Sequence, residues 1–350
     1  MENKKHYDRL DIIKGVAIFL VILGHSIQCG SGAEYNRNQL FFDDVVFKLI
    51  YSFHMPLFMI ISGFLFAKTS SGKTFLMVIK SRTMRLLLPV FVWQTLLTLM
   101  SVVKNGSFDV MSYLSFCIEG FWFLWSVWWA TIVCSFVENI TKSKKMRVCL
   151  HSAVILLSFI TPDDFNFSLH KFMYISFLIG ICAAKLNLEN VNFEGIRKYM
   201  ILAVFVFVFV LLFIFFRRES YIYVSGWTLL GRENWISILL WDIYRVLIGL
   251  VGSGILIYMV CLLGPTEKWI ILRNVGMNTS GIYILQTFAN TLMMNYLASI
   301  QHHLFINIIE GIIICVVCYM GVKVISVIPY APMILFGKKR NKRVVRSTDE

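Results

Sequence analysis

Apolar residues run along this chain in stretches about as long as a helix needs to cross a hydrocarbon core, roughly 20 residues. Short polar segments separate them. The pattern predicts ten spans, at about 12–29, 44–67, 82–103, 121–138, 147–161, 168–186, 199–216, 236–263, 269–290 and 304–336, the fifth being the shortest. The fold class expected is an all-α membrane bundle. The separating segments alternate in charge. One set contains Lys68, Lys73 and Lys80; Lys142, Lys144, Lys145 and Arg147; Lys185, Arg197 and Lys198; Lys268 and Arg273; and a tail with Lys338, Lys339, Arg340, Lys342, Arg343 and Arg346. The other set contains Glu34, Asp43, Asp44, Asp109, Glu119, Asp163 and Asp164, with Arg217, Arg218 and Arg232 as its main basic exceptions. Basic loops stay on the cytoplasmic side, so the alternation predicts a multi-pass protein of the cell membrane with both termini inside. Residues 1–350 read as one domain, with a short basic cytoplasmic tail from about 337.

Composition supports this reading. Of the 350 residues 58% are hydrophobic and 15% charged, against about 25% charged in soluble domains. The net charge of +13 fits cytoplasmic loops better than nucleic acid, and no nucleic-acid partner is expected. The first apolar run lacks a small-residue cleavage site and reads as a retained helix. Cys315 and Cys318 form a C-x-x-C inside an apolar helix, without a second pair or a histidine cluster. They read as core residues, and no metal is expected.

The polar residues left inside the apolar runs are the candidates for chemistry, because ionisable groups in lipid are costly and turn toward protein or water. Lys14 and His25 are eleven residues apart, almost a whole number of helical turns, and so share one face about 16 Å apart. Asp11 lies near that face. It is too far from His25 to orient it, about 21 Å along the helix, and is expected to pair with Lys14 or another basic group. A neutral imidazole at position 25 can accept a proton; it could also serve only to hydrogen-bond within a bundle. The second span contains Pro56 and places His54, Phe58 and Ser62 on an i, i+4, i+8 line, which fits either a kinked packing helix or a site. Arg82 and Arg85 are neighbours on a helix. Their forked guanidinium groups suit phosphate, though membrane anchoring explains them equally well. Trp122 belongs to an aromatic run, Phe121-Trp122-Phe123-Leu124-Trp125, at a span entrance, Asp242 and Arg245 are spaced to pair, and Tyr283 and Gln286 are polar positions in the ninth span.

Together these pieces resemble the integral-membrane acyltransferase family 3, and within it the fucose 4-O-acetylase type. The matching stretches are Asp11-Ile12-Ile13-Lys14-Gly15 with Gly24-His25, Phe53-His54-Met55-Pro56-Leu57-Phe58 with Ser62-Gly63, and Arg82-Thr83-Met84-Arg85 before Leu88-Pro89. Trp122-Phe123-Leu124 and Ser280-Gly281-Ile282-Tyr283-Ile284-Leu285 match more weakly. The resemblance covers essentially the whole chain.

The resemblance implies ten helices, an acyl-CoA donor and a sugar hydroxyl acceptor. The family's basic-x10-His motif falls on Lys14 and His25, with lysine where arginine is common, and its R-x-x-R falls on Arg82 and Arg85. Gln286 stands where many relatives have histidine. The expected function is an O-acetyltransferase moving acetyl from cytoplasmic acetyl-CoA to a cell-surface polysaccharide or its lipid-linked precursor. A succinyl-type transferase, or a polysaccharide exporter or flippase, is the alternative. His25 is the expected general base, with His54 as a second catalytic candidate. Lys14, Arg82 and Arg85 are expected to hold the donor. Asp11, Ser62, Trp122, Tyr283 and Gln286 are expected to line or support the site, and Asp242 with Arg245 to form a structural pair unless they contact the sugar. With no hydrolase-like domain fused at its C-terminus, the membrane unit is expected to make the transfer itself or to hand the acyl group to a separate polysaccharide-assembly protein.

Overall fold

The computed structural model describes residues 8–70, 72–186, 195–263, 266–296 and 302–338, without the side chains of 104–105 and 291–296. The basic residues from Lys339 onward lie outside the described residues, so the expected tail is described only to Lys338. The helices in chain order are α1 (Asp8–Gly30), α2 (Ala33–Arg37), α3 (Val45–Ser70), α4 (Phe75–Arg82), α5 (Leu88–Asn105), α6 (Val110–Glu119), α7 (Trp122–Ile140) and α8 (Lys144–Ser158). They continue with α9 (Phe167–Lys185), α10 (Arg197–Ile214), α11 (Ile222–Ser225), α12 (Trp235–Leu262), α13 (Ile270–Met277), α14 (Thr279–Tyr296), α15 (Leu304–Ile325) and α16 (Ala331–Phe336). No strand occurs among the described residues. A π-helical turn, Thr83–Leu87, joins α4 to α5.

Among the described residues, eight helical stretches are long and apolar enough to cross a membrane. They match eight of the ten predicted spans. The other two differ in form. The fifth, α8, has only 15 residues, about 22 Å of helix against a core of about 30 Å. The ninth is broken into α13 and α14 at Asn278, which stands between them with φ −108°. Lipid is the medium this surface fits. Beyond its basic first turn, helix α10 is apolar on every side, and its Val204, Phe205, Val206, Phe207 and Val208 are all exposed; in water such a face would be an aggregation site.

Helices α1 and α3 form the buried centre. Small residues let their neighbours approach. A Cβ on Gly276 of α13 would collide with the Asp11 carbonyl of α1, and one on Gly15 with the Leu272 carbonyl. Gly63 of α3 likewise meets the Phe177 carbonyl of α9, and Gly180 of α9 meets the Ile60 carbonyl. At Pro56 the ring removes a helical hydrogen bond from α3. There Gly249 and Ser253 of α12 come close, and the Ser253 hydroxyl donates to the Phe53 carbonyl at 3.3 Å. After α1 the chain is tied down by Ser31. Its Oγ lies 2.9 Å from Nδ1 of His302, whose Nε2 faces Asp44 at 3.3 Å.

Candidate functional site

Two cavities lie inside the bundle. The first, of about 240 Å³, is lined by Lys14 of α1, Met55, Phe58 and Ser62 of α3, Leu86 of the π-helical turn, Phe123 of α7 and Tyr283 of α14. Residues on both sides of the α13–α14 break, Gly276, Met277, Thr279 and Ser280, complete it. Irregular backbone at membrane depth persists where it lines a cavity, and this break does so. The second, of about 40 Å³, is lined by Tyr51, His54, Trp122, Tyr221, Tyr223 and Arg245, among others. Met55 lines both. So do consecutive residues of α7, Trp122 on one side and Phe123 on the other. Phe121, just before them, takes φ 54°, a left-handed conformation that is costly for a bulky residue and sets the entry of α7.

Of the residues expected from the sequence, Lys14, Ser62 and Tyr283 line the first cavity and His54, Trp122 and Arg245 the second, whereas Asp11, His25, Arg82, Arg85, Asp242 and Gln286 line neither. Asp11 and Lys14 form an ion pair at 2.5 Å, with Lys14 facing the first cavity. His25 is half-buried and is hydrogen-bonded by the Gln28 side chain. The preceding Gly24 packs on the Tyr51 ring, which meets His54 edge-on at 4.8 Å between centroids. His25 and His54 are close enough to interact electrostatically. His54 has a defined tautomer. Its Nδ1 is 2.7 Å from the Ile50 carbonyl, which can only accept, so Nδ1 holds the hydrogen and Nε2 holds the lone pair. The predicted line of His54, Phe58 and Ser62 is divided: Phe58 and Ser62 line the first cavity and His54 the second.

Asp242 and Arg245 pair at 2.9 Å, both buried. Arg245 also donates to the Gly226 carbonyl at 2.7 Å and to Ser225, and it lines the His54 cavity. Gln286 is buried one turn beyond Tyr283, and its Oε1 accepts from Asn290 at 3.0 Å. Arg82 stands at the start of the π-helical turn and donates to the Thr69 hydroxyl at 3.4 Å. Arg85 lies inside that turn, directly before the cavity-lining Leu86. Neither arginine pairs with a carboxylate among the described residues. π-Turns inside helices recur at functional sites.

Sequence reasoning missed several residues here. Tyr51 is one turn from His54 on the same helix and could have been found by spacing. Tyr221 and Tyr223 come from α11 and the turn before it, and only the tertiary fold brings them to His54. Lys338 donates to Asn278 at the helix break at 2.6 Å, while Gly337 packs on the Arg85 carbonyl. Burial holds the Lys338 ammonium below its ordinary range, and Lys323 adds to the effect. A cation and the R-x-x-R turn thus meet beside the first cavity, a convergence that no local spacing encodes.

A family model described as an acyltransferase domain matches residues 7–327 of the chain. The Nodulation protein NolL of Sinorhizobium fredii is 28% identical over 218 residues, which is 61% of this chain and 58% of that protein. The Nodulation protein NolL of Mesorhizobium japonicum is 32% identical over 181 residues, 50% of this chain and 47% of its own length. The matched part of the chain therefore spans about half the length of these relatives. No solved structure matches the chain.

Proposed function

This chain belongs to the integral-membrane acyltransferase family 3, and from that premise we propose that it moves an acetyl group from acetyl-CoA to a sugar hydroxyl of a cell-surface polysaccharide or its lipid-linked precursor. The observation that supports this reading is a pair of cavities with Met55 in the lining of both. One lies beside Arg85 and is lined by Lys14, and the other is lined by His54. CoA phosphates dock at Arg82 and Arg85, where arginine forks suit them. The pantetheine arm enters past Lys14, whose separation from His25, about 16 Å along a helix, is of the order of that arm's reach. With CoA supplied from the cytoplasm, the basic end of the bundle faces inward. Ten crossings, counting α8 and the α13–α14 pair, leave both termini on that side.

His25 takes the proton from the sugar hydroxyl as its oxygen attacks the thioester carbonyl. The C–S bond breaks, and the proton passes to the departing CoA sulfur. His54 orients the hydroxyl or polarises the carbonyl, with its Nε2 lone pair available for a hydrogen bond. Purified protein should hydrolyse acetyl-CoA slowly and transfer acetyl to a glycan acceptor. His25→Ala and His25→Gln should each lose about 10²–10⁴-fold in transfer while still binding CoA. Near-normal transfer in both would remove His25 from the mechanism. Glycan movement without any acyl transfer would make the protein an exporter or flippase, and transfer from succinyl-CoA in preference to acetyl-CoA would change the donor alone.

A further inference from the structure

A third cavity, of about 500 Å³, opens where the C-terminal ends of α3, α7 and α9 meet the start of α8. Its lining includes Lys68, Lys73, Lys142, Arg147 and Lys185, and among the described residues the carboxylate in that lining is Glu138. Glu138 is engaged by Lys185 at 3.1 Å. Arg147 donates to the Thr141 and Glu138 carbonyls at 2.8 and 3.3 Å, and Lys73 donates to the Thr69 carbonyl; these bonds are to main chain and neutralise no charge. Cations that served only to anchor the bundle would sit around its rim in contact with headgroups. These converge on one concave space, beside the buried hydroxyl of Ser135 and the Asn139 amide.

Phe66 links the cavity to the R-x-x-R turn. Arg82 lies over the Phe66 ring at 6.0 Å and reaches Thr69, and Phe66 lines the cavity. The Lys73 ammonium is held below its ordinary range by burial and then by the charges of Arg82 and Arg85. Cations that repel one another are relieved by an anion bound between them. Cavities of this volume suit a nucleotide-sized ligand.

We propose that this cavity binds the 3′-phosphorylated adenosine end of the acyl donor, with Lys73 and Lys142 contacting the 3′-phosphate while Arg82 and Arg85 hold the diphosphate. The inference rests on the CoA-donor reading above and adds a second basic site to it. Charge complementarity carries the choice of ligand. A phosphate monoester brings about −1.5 to −2 near neutral pH, and among the described residues the cavity's lining has five cationic side chains against one carboxylate. The consequence is selectivity: the enzyme distinguishes CoA from dephospho-CoA, which lacks that phosphate.

The test is binding of CoA and dephospho-CoA to the full chain in nanodiscs of neutral lipid, and again with anionic lipid. Wild type should bind CoA at least about tenfold more tightly than dephospho-CoA in both lipids. The double variant Lys73→Gln, Lys142→Gln should lose most of that preference while its dephospho-CoA affinity stays within about threefold. Glu138→Gln removes the opposing charge and should widen the preference. Lys142→Gln alone should narrow it, a check that holds if the double variant folds poorly. An unchanged preference in the lysine variants overturns the proposal. So does a lysine effect seen only with anionic lipid, which would make this a headgroup site. Wild type that binds both forms equally removes this cavity from donor recognition, whereas wild type that binds neither removes the CoA-donor reading itself.

Discussion

Two ion pairs stand close together in this bundle, the buried Lys171 with the half-buried Asp163 and the fully buried Arg245 with Asp242, and they are built differently. In the first, Lys171 of α9 meets Asp163 at 3.0 Å, and the rest of its donor capacity is spread over the Thr161 and Pro162 carbonyls and the Thr228 hydroxyl. The second oxygen of Asp163 accepts from the backbone N–H groups of Trp227 and Thr228 at 3.0 and 3.1 Å. Burial alone would raise this carboxyl's pKa, yet those N–H groups and the Lys171 ammonium hold it below the ordinary carboxylate range. In the second, Arg245 meets Asp242 at 2.9 Å. The approach lacks hydrogen-bond alignment, however: neither Asp242 oxygen nor the Arg245 Nε has a hydrogen-bond partner. A satisfied buried pair fixes structure, whereas an incompletely satisfied one beside a cavity retains capacity for a ligand. The segment Ser225–Thr228 joins them. Asp163 holds its N–H groups and Arg245 holds the Gly226 carbonyl, so the first pair positions the loop on which the second pair depends.

The largest effect is expected from breaking the satisfied pair. Lys171→Met strands Asp163 and frees the loop, and should cost about 3–5 kcal/mol of stability, read as a large fall in the thermal midpoint in detergent. If the midpoint hardly moves, the pair is not what fixes the loop. Arg245→Lys should fold near-normally but lose transfer about tenfold, roughly 1.4 kcal/mol in the barrier, because a lysine cannot reproduce the fork that lines the His54 cavity. Full transfer by this variant would return Arg245 to a purely structural role. Asp242→Asn should cost about 1–2 kcal/mol of stability, less than Lys171→Met, because Arg245 keeps its bonds to Gly226 and Ser225. A cost as large as that of Lys171→Met would erase the distinction. Acid offers the smallest test. The folded-state pKa of Asp163 is lowered, so its contribution is present above the unfolded value of about 3.9 and is lost as pH falls through the depressed folded value. Wild type should therefore lose stability below about pH 4 more steeply than Asp163→Asn, and parallel acid profiles would contradict that linkage.

Much of this was legible in advance wherever a contact is local in sequence. The i, i+3 pairs Asp11–Lys14 and Asp242–Arg245 follow from helical spacing, and each forms. The apolar runs located eight membrane-length helices because length and hydropathy are properties of a segment alone. Spacing also put His54, Phe58 and Ser62 on one line, yet the bundle packs Met55 between two cavities and gives His54 to one and Phe58 and Ser62 to the other. Periodicity names a helix face; it does not say how many partners share that face. The break at Asn278 was not foreseen, because the apolar run continues through it. Its polar groups are met by Lys338, sixty residues away in sequence.

The sequence by itself determined that this chain is an all-helical membrane protein built from long apolar helices, because desolvation cost acts on every residue whatever its neighbours. It also determined, through motifs over nearly the whole chain, the family to which the protein belongs. Only the tertiary structure decided that Lys14, Ser62 and Tyr283 share one cavity while His54, Arg245 and Tyr223 share the next. Only it decided that five cations from three helices and two loops face a single space. Those groupings depend on how closely helices approach, which small residues at crossings such as Gly15–Gly276 and Gly63–Gly180 permit. The packing of side chains from segments distant in sequence sets them.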